Sequence, residues 1–161
     1  MKTKEFKKVL IALDYDPTAQ KVAEAGFSMA KSMNAEITLL HVISDPVYYS
    51  SVEYSPIMGL TDSMGIDPLK FDSADRLQEV SQHFLDKIKH HLDDDTIHTL
   101  IIEGDFAGSI LKTAKDLHTD VIVLGSHSRK WLENIVMGSV TTDILRQTSI
   151  PLFIVPTKKR D

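Results

Sequence analysis

The sequence has no cysteine, no long apolar run and no excess of basic residues, and each absence excludes a class of protein. Without cysteine, disulfide bonds and thiol chemistry are excluded. No apolar stretch approaches the roughly 20 residues that span a membrane. The run from Val9 to Leu13 is too short for a signal peptide, so we expect a cytoplasmic protein. The formal net charge of −5 argues against nucleic acid and anionic membranes as partners.

Glycine and proline are also scarce, with 7 and 6 residues, and five of them lie between residues 44 and 70. That segment keeps neither the period of a strand nor that of a helix, so it predicts a long irregular connection. The three tyrosines within it favour an adaptable contact surface over disorder. With this loop included, residues 1–161 are expected to form a single domain, since the length suits one hydrophobic core.

Five short apolar runs, rich in aliphatic and β-branched residues, predict strands. They are Val9 to Leu13, Ile37 to Ile43, Ile97 to Ile102, Val121 to Leu124 and Leu152 to Val155. Between them, apolar residues recur at spacings of three and four, which predicts amphipathic helices. Strands that alternate with helices indicate an α/β fold, a doubly wound parallel sheet with helices on both faces.

Residues that begin or end helices flank several of these segments. Asp16 followed by Pro17 predicts the start of the first helix, with the aspartate as cap and the proline in the first turn. Asn34 suits the end of that helix, because asparagine tolerates a left-handed backbone. Asp105 is the predicted cap of the third helix.

The most informative stretch follows the fourth predicted strand. The strand breaks at Gly125, a polar loop follows, and Gly138-Ser139 precedes a segment with helical spacing. Main-chain N–H groups at the start of a helix have no partner within the helix and attract anions. Glycine lets a ligand come close to the main chain because it has no Cβ. Strand, glycine, polar loop and helix start therefore predict a phosphate-binding loop.

The spacing within this stretch is Gly125, two residues, Ser128, nine residues, then Gly138-Ser139. In this the chain resembles the universal stress protein family, whose nucleotide-binding members have Gly-x2-Gly-x9-Gly-Ser/Thr after the fourth strand. The resemblance extends from the first strand, KVLIALD, to the last, PLFIVP. It implies the strand order 3-2-1-4-5 and a homodimer formed through the last strand, Leu152 to Val155.

The resemblance also implies an ATP site at the reversal of strand order between strands one and four, where doubly wound sheets bind ligands. Asp14 would contact ribose or adenine, main-chain groups of Val42 would face adenine, and Arg129 would bind phosphate. Mg²⁺ or Mn²⁺ would arrive with the nucleotide, held mainly by phosphate oxygens. The full set of expected nucleotide-binding residues is Ala12, Asp14, Val42, Leu124, Gly125, Ser128, Arg129, Gly138, Ser139 and Val140.

Ser128 is a departure from the family pattern, since it occupies the position of the second glycine. If that position needs a left-handed backbone, a non-glycine residue costs about 1–2 kcal/mol. We therefore expect weakened, not abolished, nucleotide binding. The loop supplies no general base, paired carboxylates or nucleophile–histidine set, so at most slow ATP hydrolysis is expected. A histidine metal site is not expected either.

Two other functions fit parts of the pattern. Members of the same family that lack the glycines act without ATP as dimeric interaction proteins, and Ser128 makes this the second hypothesis. A signalling receiver domain is a weaker third, because it leaves the spacing from Gly125 to Ser139 unexplained and uses Asp16 and Asp105, which are already predicted caps. Its acidic, hydroxyl and lysine positions would be Asp14, Asp16, Asp105, Ser126 and Lys158.

Overall fold

The computed structural model describes residues 1–14, 18–44, 74–126 and 139–157. The described residues form one sheet of five strands in the order β3-β2-β1-β4-β5. All four pairings between neighbours are parallel, which confirms the predicted α/β fold and strand order. The strands are β1 (Lys8–Ala12), β2 (Glu36–Ile43), β3 (His98–Glu103), β4 (Val121–Gly125) and β5 (Leu152–Val155).

Four helices lie in the described part of the chain: α1 (Ala19–Ser32), α2 (Ala74–Leu92), α3 (Phe106–Asp116) and α4 (Ser139–Gln147). None of these helices is both long and apolar enough to cross a membrane. The predicted irregular connection at 44–70 lies, after Ser44, outside the described residues.

Two of the three helix boundaries predicted from capping residues agree with the structure. Asp105 caps α3, and its carboxylate accepts a hydrogen bond from the main-chain nitrogen of Gly108 at 2.8 Å. Asn34 follows α1 with a left-handed φ of 52°, as expected for a residue that ends a helix. The start of α1 differs, because the helix begins at Ala19 after Thr18 and not at Pro17, which lies outside the described residues.

The sheet is buried on both faces. On one face, α1 and α2 cover a core that includes Val9, Ile11 and Val123. On the other, α3 and α4 cover a second core that includes Leu10 and Ile122. Neighbouring residues of β1 thus enter opposite cores, which explains why the strand is an unbroken apolar run and not an alternating one. Each large side chain buried in this way contributes about 1.5–3 kcal/mol to folding.

Helix α1 comes close to the sheet at Gly26. A Cβ at this position would lie 2.8 Å from Cδ1 of Ile11 and 3.0 Å from Cγ1 of Val123. The missing side chain therefore allows the helix to pack tightly over β1 and β4. These two strands are neighbours at the point where the strand order reverses, so their carboxyl ends form the edges of a crevice.

Candidate functional site

A pocket lies at the carboxyl ends of β1, β2 and β4, where α3 and α4 begin. The empty space within it, including the part that opens to solvent, is about 350 Å³. Its walls are mostly apolar. The described residues that line it are Ala12, Leu13, Asp14, Leu40, Val42, Phe106, Ile110, Leu124 and Val140.

Five of the ten residues expected to bind a nucleotide line this pocket together. They come from four separate parts of the chain and are Ala12, Asp14, Val42, Leu124 and Val140. Register explains part of the clustering: Ala12 of β1 pairs with Leu40 of β2, and Val42 follows Leu40 on the same face. Their role in binding a nucleotide remains a prediction.

Two more expected residues lie beside the pocket. Gly125 is the last residue of β4 and is buried, and Ser139 is the exposed first residue of α4. A Cβ on Gly125 would lie 3.0 Å from Cγ2 of Val22 and 3.1 Å from Cγ2 of Thr157. Tight packing is thus a sufficient reason for this glycine, independent of any phosphate. The other three, Ser128, Arg129 and Gly138, lie outside the described residues.

Hydroxyl groups tie the elements around the end of β4 to one another. The buried Thr141 in the first turn of α4 donates a hydrogen bond from Oγ1 to the carbonyl oxygen of Gly125 at 2.9 Å. Ser126 donates its main-chain N–H to the carbonyl of Val155 at 2.9 Å and accepts from the main-chain nitrogen of Thr157 at 3.0 Å. The start of α4 and the end of β5 are therefore both anchored to the point where the predicted phosphate loop begins.

Sequence reasoning missed four of the lining residues: Leu13, Leu40, Phe106 and Ile110. Phe106 and Ile110 are four residues apart in the sequence, which places them on one face of α3. The sequence feature that could have identified them as pocket residues is their position in the first turns of a helix that follows a strand. These two side chains line the pocket because of the way α3 packs against the sheet, which the local sequence does not specify.

A buried histidine supports the same strand end from the other face of the sheet. His41 of β2 is 1% exposed, and its Nδ1 lies 2.9 Å from the carbonyl oxygen of Leu13. Its ring meets the ring of Phe84 of α2 edge-on, with centroids 5.8 Å apart. Burial lowers the pKa of His41 to about 4, although the hydrogen bond with Leu13 opposes part of that shift. Sequence reasoning did not consider this histidine. The feature that could have drawn attention to it is its polar side chain within the apolar run from Ile37 to Ile43.

The pocket chemistry suits a flat heterocycle joined to a group with hydroxyl donors. The apolar walls favour burial of an aromatic ring, and Asp14 is the ionisable group among the described lining residues. A carboxylate is a strong acceptor for sugar hydroxyls. The described residues contain no group of three or more His, Asp or Glu side chains placed to hold a metal ion.

The chain is similar to known proteins over nearly its whole length. The sequence pattern that describes the universal stress protein family matches residues 5–156 of this chain. Universal stress protein MJ0577 of Methanocaldococcus jannaschii is 27% identical over 157 residues, covering 95% of this chain and 96% of that protein. The solved structure of MJ0577 has a TM-score of 0.72 to this chain at 24% identity, covering 98% of this chain and 100% of that one.

Two further solved structures share the fold and contain a ligand. A universal stress protein in complex with cAMP has a TM-score of 0.62 at 15% identity, covering 96% of this chain and 100% of that chain. The universal stress protein from Archaeoglobus fulgidus in complex with dAMP has a TM-score of 0.57 at 12% identity, covering 94% and 98% of the two chains. At these identities the similarity demonstrates the fold alone.

Proposed function

Because the chain belongs to the universal stress protein family, we propose that it binds ATP in the crevice between β1 and β4 and acts as a stress-response regulator. The observation that carries the proposal is the pocket itself, in which residues from five separate parts of the chain bring one carboxylate together with apolar walls. An apolar pocket with a few convergent polar groups is the usual form of a small-molecule site.

Each part of the pocket has a distinct role in this proposal. Adenine lies between the apolar side chains of β1, β4 and α3, with Val42 at the edge of the base. Asp14 accepts hydrogen bonds from the ribose hydroxyls. The phosphates extend toward the start of α4, where Ser139 and main-chain N–H groups at the helix start would donate hydrogen bonds to them. Ser128, Arg129 and Gly138 precede this helix in the chain and would complete the phosphate site.

Relatives support adenine as the base. The two ligand-containing structures with this fold hold cAMP and dAMP, which are both adenine nucleotides. Bound Mg²⁺ or Mn²⁺ would be held by the phosphates of ATP. No described side chains form a set suited to fast hydrolysis, so the proposed output of binding is a changed surface for a partner, with at most slow ATP hydrolysis.

We also propose that the protein is a homodimer formed through β5. Among the described residues this strand pairs with β4 alone, so its other edge would accept a second chain. Phe153 in its centre is 37% exposed, so a large apolar side chain is present at this edge. Antiparallel pairing of two β5 strands would complete the edge and cover this ring.

The second candidate function keeps the dimer and drops the nucleotide. Ser128 favours it, because a residue with a side chain occupies the position of the family's second glycine. In that case the chain is a nucleotide-independent interaction protein of the same fold.

Thermal denaturation and calorimetric titration with ATP and Mg²⁺ distinguish the two functions. ATP at 100 times its Kd is expected to stabilise the protein by about 2.7 kcal/mol, or roughly 5 to 10 °C in Tm. Asp14→Ala is expected to weaken binding at least tenfold. Asp116→Ala is the matched control, because it removes an exposed carboxylate at the far end of α3 from Phe106. If millimolar ATP leaves the Tm of the wild-type protein unchanged, the nucleotide-independent function replaces this proposal.

A further inference from the structure

His41 lies on the opposite face of β2 from the pocket. Its neighbours Leu40 and Val42 line the pocket, whereas the His41 ring contacts Phe84 of α2 in the other core. The proposed nucleotide therefore makes no contact with this residue. His41 is joined to the pocket by the hydrogen bond to Leu13, which lines the pocket and immediately precedes Asp14.

Both main-chain polar groups of Leu13 are bound to β2. Its N–H donates to the carbonyl oxygen of Leu40 at 2.8 Å, and its carbonyl oxygen lies 2.9 Å from Nδ1 of His41. A carbonyl oxygen only accepts, so Nδ1 must hold the proton and donate it. The ring thus extends the β1–β2 pairing one residue past Ala12, with a side chain in place of a main-chain donor. This fixes the peptide plane from which Asp14 emerges.

Packing alone gives no reason for a histidine at this position. The ring is buried and meets Phe84 edge-on, and the desolvation of a buried imidazole is unfavourable unless it is hydrogen-bonded. A leucine or phenylalanine would fill the same space without that penalty. Neither of those side chains has the donor that His41 directs at the end of β1.

We propose that His41 is a positioning residue for nucleotide binding: by holding the Leu13 carbonyl, it fixes the direction of the Asp14 carboxylate in the pocket. The inference rests on the proposed function, because it assumes that Asp14 contacts the nucleotide. Without the donor, the peptide between Leu13 and Asp14 gains rotational freedom. That freedom must then be lost when the ribose binds, which lowers the affinity.

Three variants separate positioning from packing. His41→Leu has a similar volume and no donor, whereas His41→Asn has an amide nitrogen close to the position of Nδ1. Phe84→Leu is the control, because it removes the ring contact on α2 and leaves the hydrogen bond to Leu13 in place. The Kd for ATP with Mg²⁺ is measured at 25 °C and pH 7.5, on protein whose circular dichroism confirms that it is folded.

We expect His41→Leu to weaken ATP binding about tenfold, or about 1.4 kcal/mol, and His41→Asn to stay within about threefold of the wild type. Phe84→Leu should lower Tm and leave Kd unchanged. If His41→Leu does not fold, His41→Gln takes its place with the same expectation, since its donor lies nearer the position of Nε2. Loss of affinity in Phe84→Leu equal to that in His41→Leu would overturn the inference and indicate a packing effect.

The imidazole tautomer gives a test that needs no nucleotide. ¹⁵N chemical shifts at pH 7.5 are expected to report a neutral ring with the proton on Nδ1, and a proton on Nε2 instead would overturn the inference. Wild-type protein that binds ATP no better than His41→Leu does, with both affinities measurable, overturns the inference alone. Wild-type protein that binds no ATP overturns the proposed function and the inference together.

Discussion

Asp120 and Lys8 form a reciprocal pair of hydrogen bonds at the start of β4 and β1. The main-chain nitrogen of Lys8 lies 3.0 Å from Oδ2 of Asp120, and the main-chain nitrogen of Asp120 donates to the carbonyl oxygen of Lys8 at 2.8 Å. The same carboxylate oxygen accepts from the main-chain nitrogen of Lys7 at 2.9 Å, and its other oxygen lies 2.9 Å from Nζ of Lys4. One side chain thus aligns the two central strands at the end of the sheet away from the pocket.

Asp120→Ala is therefore expected to destabilise the fold by about 1–2 kcal/mol, since two main-chain donors lose a charged acceptor. The hydrogen bond from Lys4, followed by the one from Lys7, lowers the pKa of the Asp120 carboxyl below its ordinary value. Because a lowered pKa means that the ionised form stabilises the native state, this contribution is present at neutral pH. It is lost as the pH falls below about 4 toward the lowered pKa. Urea denaturation at pH 7 and pH 3 measures both effects.

The matched control for this prediction is Asp116→Ala, whose carboxylate is exposed and pairs with Lys112 one helical turn away. Such a surface pair contributes only about 0.3–0.5 kcal/mol. If Asp120→Ala is no less stable than Asp116→Ala at pH 7, the proposed alignment of the two strands by Asp120 is wrong.

His41 predicts a second, separate dependence of stability on pH. Burial lowers its pKa from 6.5 to about 4, so between these values the unfolded chain binds a proton that the folded chain does not. The free energy of unfolding should therefore fall as the pH decreases from about 6.5 to about 4, by roughly 3 kcal/mol in total. His41→Leu should remove this slope, whereas His83→Gln, at an exposed position on α2, should retain it. The same slope in His41→Leu and in the wild type would contradict the prediction.

The close approach of α1 to β1 predicts that Gly26→Ala depends on its neighbour. The new methyl group would meet Cδ1 of Ile11 at 2.8 Å, so we expect a loss of about 1–2 kcal/mol through overpacking. Ile11→Val removes that Cδ1 atom. The second substitution should then recover much of the loss, so a double-mutant cycle in urea should give a coupling of about 1 kcal/mol. Additive effects would contradict the predicted clash between the new methyl group and Ile11.

The proposed dimer predicts that Phe153→Glu yields a monomer. A carboxylate in the centre of β5 would be buried without a partner if two of these edges paired. Light scattering at micromolar concentration measures the mass, with Leu145→Glu as the comparison. Leu145 of α4 is the other strongly exposed large apolar residue of the described elements, at 48%. A wild-type monomer would rule out the dimer, and a monomer only in Leu145→Glu would indicate an interface on α4.

Much of the fold was predictable because its signals are local. The apolar runs of β1, β2 and β4 are buried from both faces in the structure, as an unbroken run predicts for a central parallel strand. The cap at Asp105 and the left-handed backbone at Asn34 depend on residues within one turn of the chain. The strand order itself came from the resemblance to a family, because periodicity does not specify which strands are neighbours.

The site was predictable only in part. Asp14 and Leu124 were expected in the nucleotide site from the resemblance to the family, and both line the pocket. Gly125 was chosen for the phosphate, yet its surroundings give it a packing role against Val22 and Thr157. Val22 and Thr157 are far from Gly125 in the sequence, so no local sequence pattern predicts these contacts.

The sequence by itself determined which segments become strands and helices and where several of them end, because hydrogen bonding and side-chain period within a segment decide those features. Only the tertiary structure decided that Phe106 and Ile110 form a wall of the pocket and that His41 holds the carbonyl of Leu13. Those arrangements depend on how α3 and β2 pack against elements distant in the chain. Packing of that kind is set by the shape of the whole core and not by any one segment.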